Sequence, residues 1–343
     1  MKLMRMALAV VALGLVAGLG YVAQQGDSSG TNMVAAAQQF LGTLSDEQKS
    51  KAVYAFDSPE RTNWEFVPVE VKGVPTRKGV RLEEMTIEQR KAALALLRAS
   101  TSPQGADAAT TIMSLEGILL VLENGSGPTR NTGWYFFTVF GTPSKTGNWG
   151  WRVEGHHLSL SFTLAGTQIV STTPNFYGAN PADFKSGPKG NVRVLAATES
   201  LAIDLFKSLD DEQKKTAWRD KPFGEPKSRS VDSGVGEPVG LPGSAMTAGQ
   251  KTTLSKLLKA YTDRMAPEIG AIELKRAMDP GLDKIHFAFT GTVEAGKGRT
   301  YRVQGPNFVI EFLNMQADGA GNQANHIHSA WRHITGDFAK GKS

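Results

Sequence analysis

The sequence predicts an α+β protein, internally duplicated, whose two halves each hold a helical portion and an antiparallel β-meander related by a pseudo-two-fold axis. Three observations point there. The 343 residues are 40% hydrophobic and 21% charged, which suits a chain with a substantial buried core. Apolar residues recur at three- and four-residue spacing early in each half, then alternate as in strands. Four strings also repeat in the same order, at an offset of roughly 150 to 165 residues.

Lys2 and Arg5 precede the apolar run Met6 to Leu19, followed by small residues. This is the pattern of a secretory leader, short for a spanning helix. We expect residues 1–23 to be a signal peptide or N-terminal anchor and 24–31 a polar linker. The first α+β repeat is expected over 32–190 and the second over 191–343. A periplasmic or secreted location follows, with membrane contact only through an uncleaved N-terminal segment.

Val34, Ala37, Phe40, Leu41 and Leu44 predict the first helix. Ser45-Asp46-Glu47-Gln48 supplies an N-cap and an acidic first turn for a second, through Phe56. Trp64 to Val71 reads as a short extended segment. Thr86 with Gln89 forms a capping box for the next helix. Asp107 is the expected cap of another, from Ala108 to Leu122. Strands are expected at Gly133 to Phe140, over one long run from Arg152 to Leu164, and at Thr167 to Thr172. Pro174 to Pro181 reads as a loop.

The programme then restarts. Leu205-Phe-Lys-Ser-Leu-Asp-Asp-Glu-Gln213 echoes Phe40-Leu-Gly-Thr-Leu-Ser-Asp-Glu-Gln48, and Gly240 to Thr247 echoes Gly79 to Thr86. Phe287 to Gly291 echoes Phe137 to Gly141, and Tyr301 to Phe312 echoes Trp151 to Phe162.

The formal charge is +5, and without Lys2 and Arg5 the chain carries 36 basic against 33 acidic residues, interspersed. That balance gives no nucleic-acid footprint. With no cysteine, disulfides, thiolate metal sites and thiol nucleophiles are excluded. There is no His-Glu-x-x-His.

Two of the six histidines, His326 and His328, stand one residue apart, where an extended chain points both the same way. Two imidazoles on one face are half of a transition-metal site. A second pair, His156-His157, lies in a strand of the first half whose match in the second half, Tyr301 to Phe312, has none; the pair at 326 and 328 follows that strand. On a regular strand His157 shares a face with Ser159 and Ser161, while His156 and Glu154 fall at the end of the row Leu158, Leu160, Phe162. Glu311 interrupts the apolar run Phe308 to Leu313, where an unpaired carboxylate is costly and a metal or cation partner is expected. Strand matching puts His157 opposite Asn307, and Arg152 opposite Arg302.

The chain resembles the bacterial domain-of-unknown-function family numbered 3500. The strings that carry the resemblance are Ser45-Asp-Glu-Gln48, Pro59-Glu-Arg-Thr-Asn-Trp64, Ser102-Pro-Gln-Gly105, Gly150-Trp-Arg-Val-Glu-Gly-His-His-Leu-Ser159 and Asn325-His-Ile-His-Ser-Ala-Trp-Arg332. The resemblance implies a secreted or periplasmic protein and brings no known activity. His333 follows the final Trp331-Arg332, where the family pattern has an acidic residue, so the acidic partner expected for Arg332 is missing at that position.

The leading expectation is a protein that binds zinc, copper, nickel or iron; in an enzymatic version it is a metal-dependent hydrolase or oxidase. His157, His326, His328 and Glu311 would hold the ion, with His156 in support and Glu154 or Glu311 handling the proton. The alternative is a metal-free binding protein for an anionic or sugar-like ligand. There Trp64, Trp151, Trp331, Arg152, Arg302 and Arg332 would line the cleft.

Overall fold

The computed structural model describes residues 28–185 and 190–341. The expected leader lies outside them. Four helices of the first half are α1 (Ser29–Thr43), α2 (Asp46–Ala52), α3 (Ile87–Ser100) and α4 (Pro103–Leu122). Four more follow later in the chain: α5 (Ala196–Lys207), α6 (Asp211–Ala217), α7 (Ala248–Thr262) and α8 (Pro267–Met278). The main strands are β1 (Phe136–Phe140), β2 (Asn148–Gly155), β3 (Leu158–Ala165), β4 (Gln168–Ser171) and β5 (Asn175–Ala179), then β6 (His286–Gly291), β7 (Arg299–Gln304), β8 (Phe308–Gln316) and β9 (His326–His333).

The recurring Gln of the Asp-Glu-Gln strings has a specific job. Ser45 and Gln48 form a capping box at α2, and Thr86 and Gln89 form another at α3. The two glutamine amides then bond each other, at 3.1 and 2.8 Å. Asp210 with Gln213 and Thr247 with Gln250 do the same at α6 and α7, with amide bonds of 3.0 and 2.8 Å. Each pair satisfies helix-start N–H groups and ties a short helix to a longer one.

The strands form one mixed twelve-stranded sheet whose central order is β1-β2-β3-β5-β9-β8-β7-β6. Neighbours along this path are antiparallel. The short strand Val53–Tyr54 adds to β1 in parallel. Alternate residues such as Trp151, Val153, Leu160, Tyr177, Ile310 and Trp331 face the helices in one large core. On the other sheet face, Trp64, Phe66, Phe176, Ala330 and Phe338 form a smaller cluster under the loops. Both faces of the central strands are buried, even in β3, whose Leu-Ser alternation would suit a one-sided sheet.

Several expectations need correction. The run from Arg152 to Leu164 is not one strand: it folds back at a two-residue turn, His156-His157, between β2 and β3. Glu154 therefore pairs with Ser159, on the face opposite Leu158 and Leu160. Asn307, matched to His157 by sequence, lies in the tight turn between β7 and β8, where Gly305 N–H bonds Phe308 O. Pro174 to Pro181 is no loop, because its middle is β5, paired to β3 on one side and β9 on the other. The two prolines sit just outside it and Gly178 inside, so punctuation residues flank a central strand. Helix α4 starts at Pro103 under a Ser102 cap, so Asp107 is internal. Helix α1 begins at Ser29, within the expected linker.

Candidate metal centre

Three neighbouring strands bring the site together. His157 ends the β2–β3 turn at φ 62°, with its N–H bonded to Phe66 O and its carbonyl accepting from Gly178 N–H. Gly178 in β5 faces His328 of β9 in register. A Cβ on Gly178 would lie 2.9 Å from His157 Cδ2 and 2.8 Å from Ile327 O. The absent side chain is what lets the His157 ring lie across β5 toward β9. His326 and His328 share the face of β9 that also carries Ala330 and Arg332, as alternation requires.

The three Nε2 atoms converge. His157 Nε2 lies 2.8 Å from His326 Nε2 and 3.1 Å from His328 Nε2, and the latter two are 3.1 Å apart. Nitrogens bound to one ion at about 2.0–2.1 Å stand about 2.9–3.4 Å apart, across octahedral to tetrahedral angles. The spacing fits a single transition-metal ion, and the three histidines could hold one.

The ring protons are arranged to suit. Glu225 Oε2 lies 2.6 Å from His328 Nδ1. That carboxylate draws the proton to Nδ1 and leaves Nε2 a bare donor atom, the usual arrangement behind a metal-bound imidazole. Asn180 Nδ2 is 3.3 Å from His326 Nδ1, and Asn180 Oδ1 is buried without a partner. Turning that amide over lets Oδ1 accept the Nδ1 proton and frees the His326 Nε2 lone pair. Burial, then the neighbouring histidines, holds the His157 ring well below the ordinary imidazole range. Burial, then the closeness of the neighbouring imidazoles, brings His326 down to about 3. Both rings are thus neutral, as ligands must be.

The centre opens on a cavity of about 540 Å³. Phe66, Val67, Pro68, Pro128 and Pro226 give it apolar walls, while Glu65, Arg130, Asn180 and Gln316 supply polar groups. Glu225 comes from the long loop 219–240, which sequence reasoning passed over. That loop is pinned by Arg332, whose guanidinium donates to Lys227 O at 2.8 Å and Ser230 O at 2.9 Å. Glu65 also holds it, accepting from Ser228 Oγ and Arg229 Nε, both at 3.0 Å.

His156 turns away from the centre. Its Nδ1 lies 2.5 Å from Glu116 Oε1 on α4, and its ring stacks on His157 with centroids 3.7 Å apart. Burial lowers its pKa against the opposing pull of Glu116. It buttresses the ligand ring.

The two carboxylates expected at the site stand apart from the three nitrogens. Glu154 is buried in an ion cluster, 3.1 Å from Arg152 and 3.9 Å from Arg77. Burial raises its pKa, against those two arginines. Glu311 points to the same sheet face as His328 but lies opposite Ala330, and its ion pair is Arg302 at 3.5 Å. Burial raises its pKa too, against Arg332 and Arg302.

The residues of the alternative cleft are mostly interior. Trp64, Trp331, Arg152 and Arg332 have no exposed surface and Trp151 has 1%. Arg302 is half-buried over the Phe223 ring, 4.4 Å from its centroid. Arg332 does find an acid, Asp337, at 2.7 Å, five residues on rather than at the next position. His333 instead bonds Glu273 of α8 at 2.7 Å.

No curated protein and no solved structure matches this chain. A family model described as a protein of unknown function (DUF3500) matches residues 27–340, nearly the whole length. The chain belongs to the DUF3500 family.

Proposed function

We propose that this is an exported metal-binding protein in which His157, His326 and His328 hold one divalent transition metal, zinc, copper, nickel or iron. The observation that carries the reading is the convergence of three Nε2 atoms within 3.1 Å of one another beside an open cavity. Three protein ligands leave positions for water or a small molecule, and an ion so held supplies Lewis acidity or an activated water. Around it, Glu225 orients His328, Asn180 orients His326 and His156 braces His157. The cavity has the size and the mostly apolar wall of a small-molecule site, so we read the protein as acting on a small substrate as a hydrolase or oxidase. The basic-then-apolar segment at residues 1–23 supports export.

We further propose that the two halves arose by duplication and share a pseudo-two-fold relation. The matching pairs Gln48–Gln89 and Gln213–Gln250 support it, as do the matching turns at His157 and Asn307. The centre is then composite, with one ligand from the first half and two from the second.

Metal analysis of the purified, tag-free protein tests the reading. After incubation with zinc, copper, nickel or iron(II) and desalting, close to one equivalent of at least one metal is expected. The His326→Ala/His328→Ala variant is expected to retain none. Wild-type protein that emerges metal-free from all four would overturn the proposal, and metal persisting in the double variant would overturn the ligand assignment.

A further inference from the structure

Arg264 is an interior cation without a counter-charge. The residue is 4% exposed, and Nε, Nη1 and Nη2 are all buried with no hydrogen-bond partner. A guanidinium stays charged at any accessible pH and carries five N–H donors. Burying it unpaired is strongly unfavourable. The other buried arginines of the described residues find partners: Arg152 meets Glu60 and Glu154, Arg299 meets Glu199, Arg332 meets Asp337, and Arg61, with no acid, donates to Phe56 O, Phe338 O and Thr163 Oγ1.

Two aromatic rings and two helix starts surround Arg264, and none of them is a counter-charge. Its guanidinium carbon lies 4.6 Å from the Tyr177 ring centroid and 4.7 Å from that of Tyr261. Ring faces attract a cation but leave its in-plane N–H donors unanswered. The Tyr177 hydroxyl is itself buried without a partner, and burial pushes its pKa up to about 12, so it remains a donor. Two helices begin beside this residue. Ser102 N–H bonds Arg264 O, and Ser102 caps α4, while α8 starts at Pro267 with Ala266 offering no side-chain cap. Both positive helix ends thus flank a residue whose own charge has no partner.

We propose that Arg264, with the Tyr177 hydroxyl, binds a small monovalent anion in the interior where α4 and α8 begin, taken up as the chain folds. A chloride, nitrate or formate-sized ion answers the in-plane donors of a guanidinium, and one negative charge balances it. The site is separate from the metal centre, since Tyr177 faces the helices while His328 lies on the opposite sheet face. It does not depend on the metal reading.

Two measurements on the full chain test it. Thermal unfolding at constant ionic strength, with gluconate replaced stepwise by chloride, should raise the melting temperature by about 2–3 °C per tenfold rise in free chloride above saturation. The Arg264→Met variant should lose that dependence. Wild-type crystals grown in bromide should show an anomalous peak within hydrogen-bond distance of the Arg264 guanidinium, a result that holds even if the variant does not fold. Melting that follows ionic strength regardless of the anion, or ordered waters alone around the guanidinium, would overturn the proposal.

Discussion

Glu225 and His328, 103 positions apart in sequence, meet carboxylate to Nδ1 at 2.6 Å. The contact reaches from a surface loop to a buried strand, and it decides which nitrogen of His328 carries the proton. Glu225→Gln keeps the size of the side chain and removes the charge that favours Nδ1–H. Metal affinity should fall about 10- to 100-fold, with the fold unchanged. Competition against a chelator of known affinity measures it; equal affinity in wild type and variant would show that Glu225 plays no part.

Gly178 is a steric prediction. A methyl group there meets His157 Cδ2 at 2.9 Å and Cβ at 3.2 Å. Gly178→Ala should destabilise the metal-free protein by about 1–3 kcal/mol, as overpacking does, and weaken metal binding by displacing the His157 ring. Urea unfolding and metal titration on the same variant would register both. Unaltered metal affinity would mean that the ring can shift without leaving the ion.

Glu154 should be a structural residue. Its carboxylate lies among Arg152, Arg77 and the Glu65 N–H, away from the three Nε2 atoms. Glu154→Ala leaves buried guanidinium charge under-compensated and should cost about 3–5 kcal/mol. The folded fraction should still take up a full equivalent of metal, as elemental analysis after size exclusion would reveal. Loss of metal from folded Glu154→Ala would return this carboxylate to the centre.

The pH dependence of the metal-free protein follows from the depressed histidines. Above pH 6.5 His326 is neutral in both the folded and unfolded states, so it contributes no pH dependence there. As pH falls below 6.5 the unfolded chain takes up a proton that the folded site, at about 3, refuses. Stability is therefore lost with falling pH, by about 2 kcal/mol for His326 between pH 7.5 and pH 5, and His157 adds in the same direction. Denaturant midpoints across that range should fall, and fall less in His326→Asn.

His326 and His328 were legible from sequence because alternation in a strand survives almost any tertiary context. The pairing with His157 was legible only through the repeated strings, since nothing local says that β3 and β9 lie two strands apart. His156-His157 was misread as strand interior, because a two-residue turn without glycine or asparagine at the bend gives no signal. Glu225 was invisible: Gly224 and Pro226 mark it as loop, and a loop's destination depends on anchors such as Arg332. The burial of Trp64 and Arg152 escaped for a related reason, since loops cover the sheet face that composition alone would leave to solvent.

Strand β5 has a consequence for when the centre can exist. It is the element through which β3 meets β9, and His157 reaches the other two ligands only across it. Strands β3, β5 and β9 must therefore all be docked before the three nitrogens converge. On the proposed reading, metal uptake would act as a coincidence detector for completed assembly: an undocked β9 brings two of the nitrogens at most, and only the sheet with β5 in place brings all three.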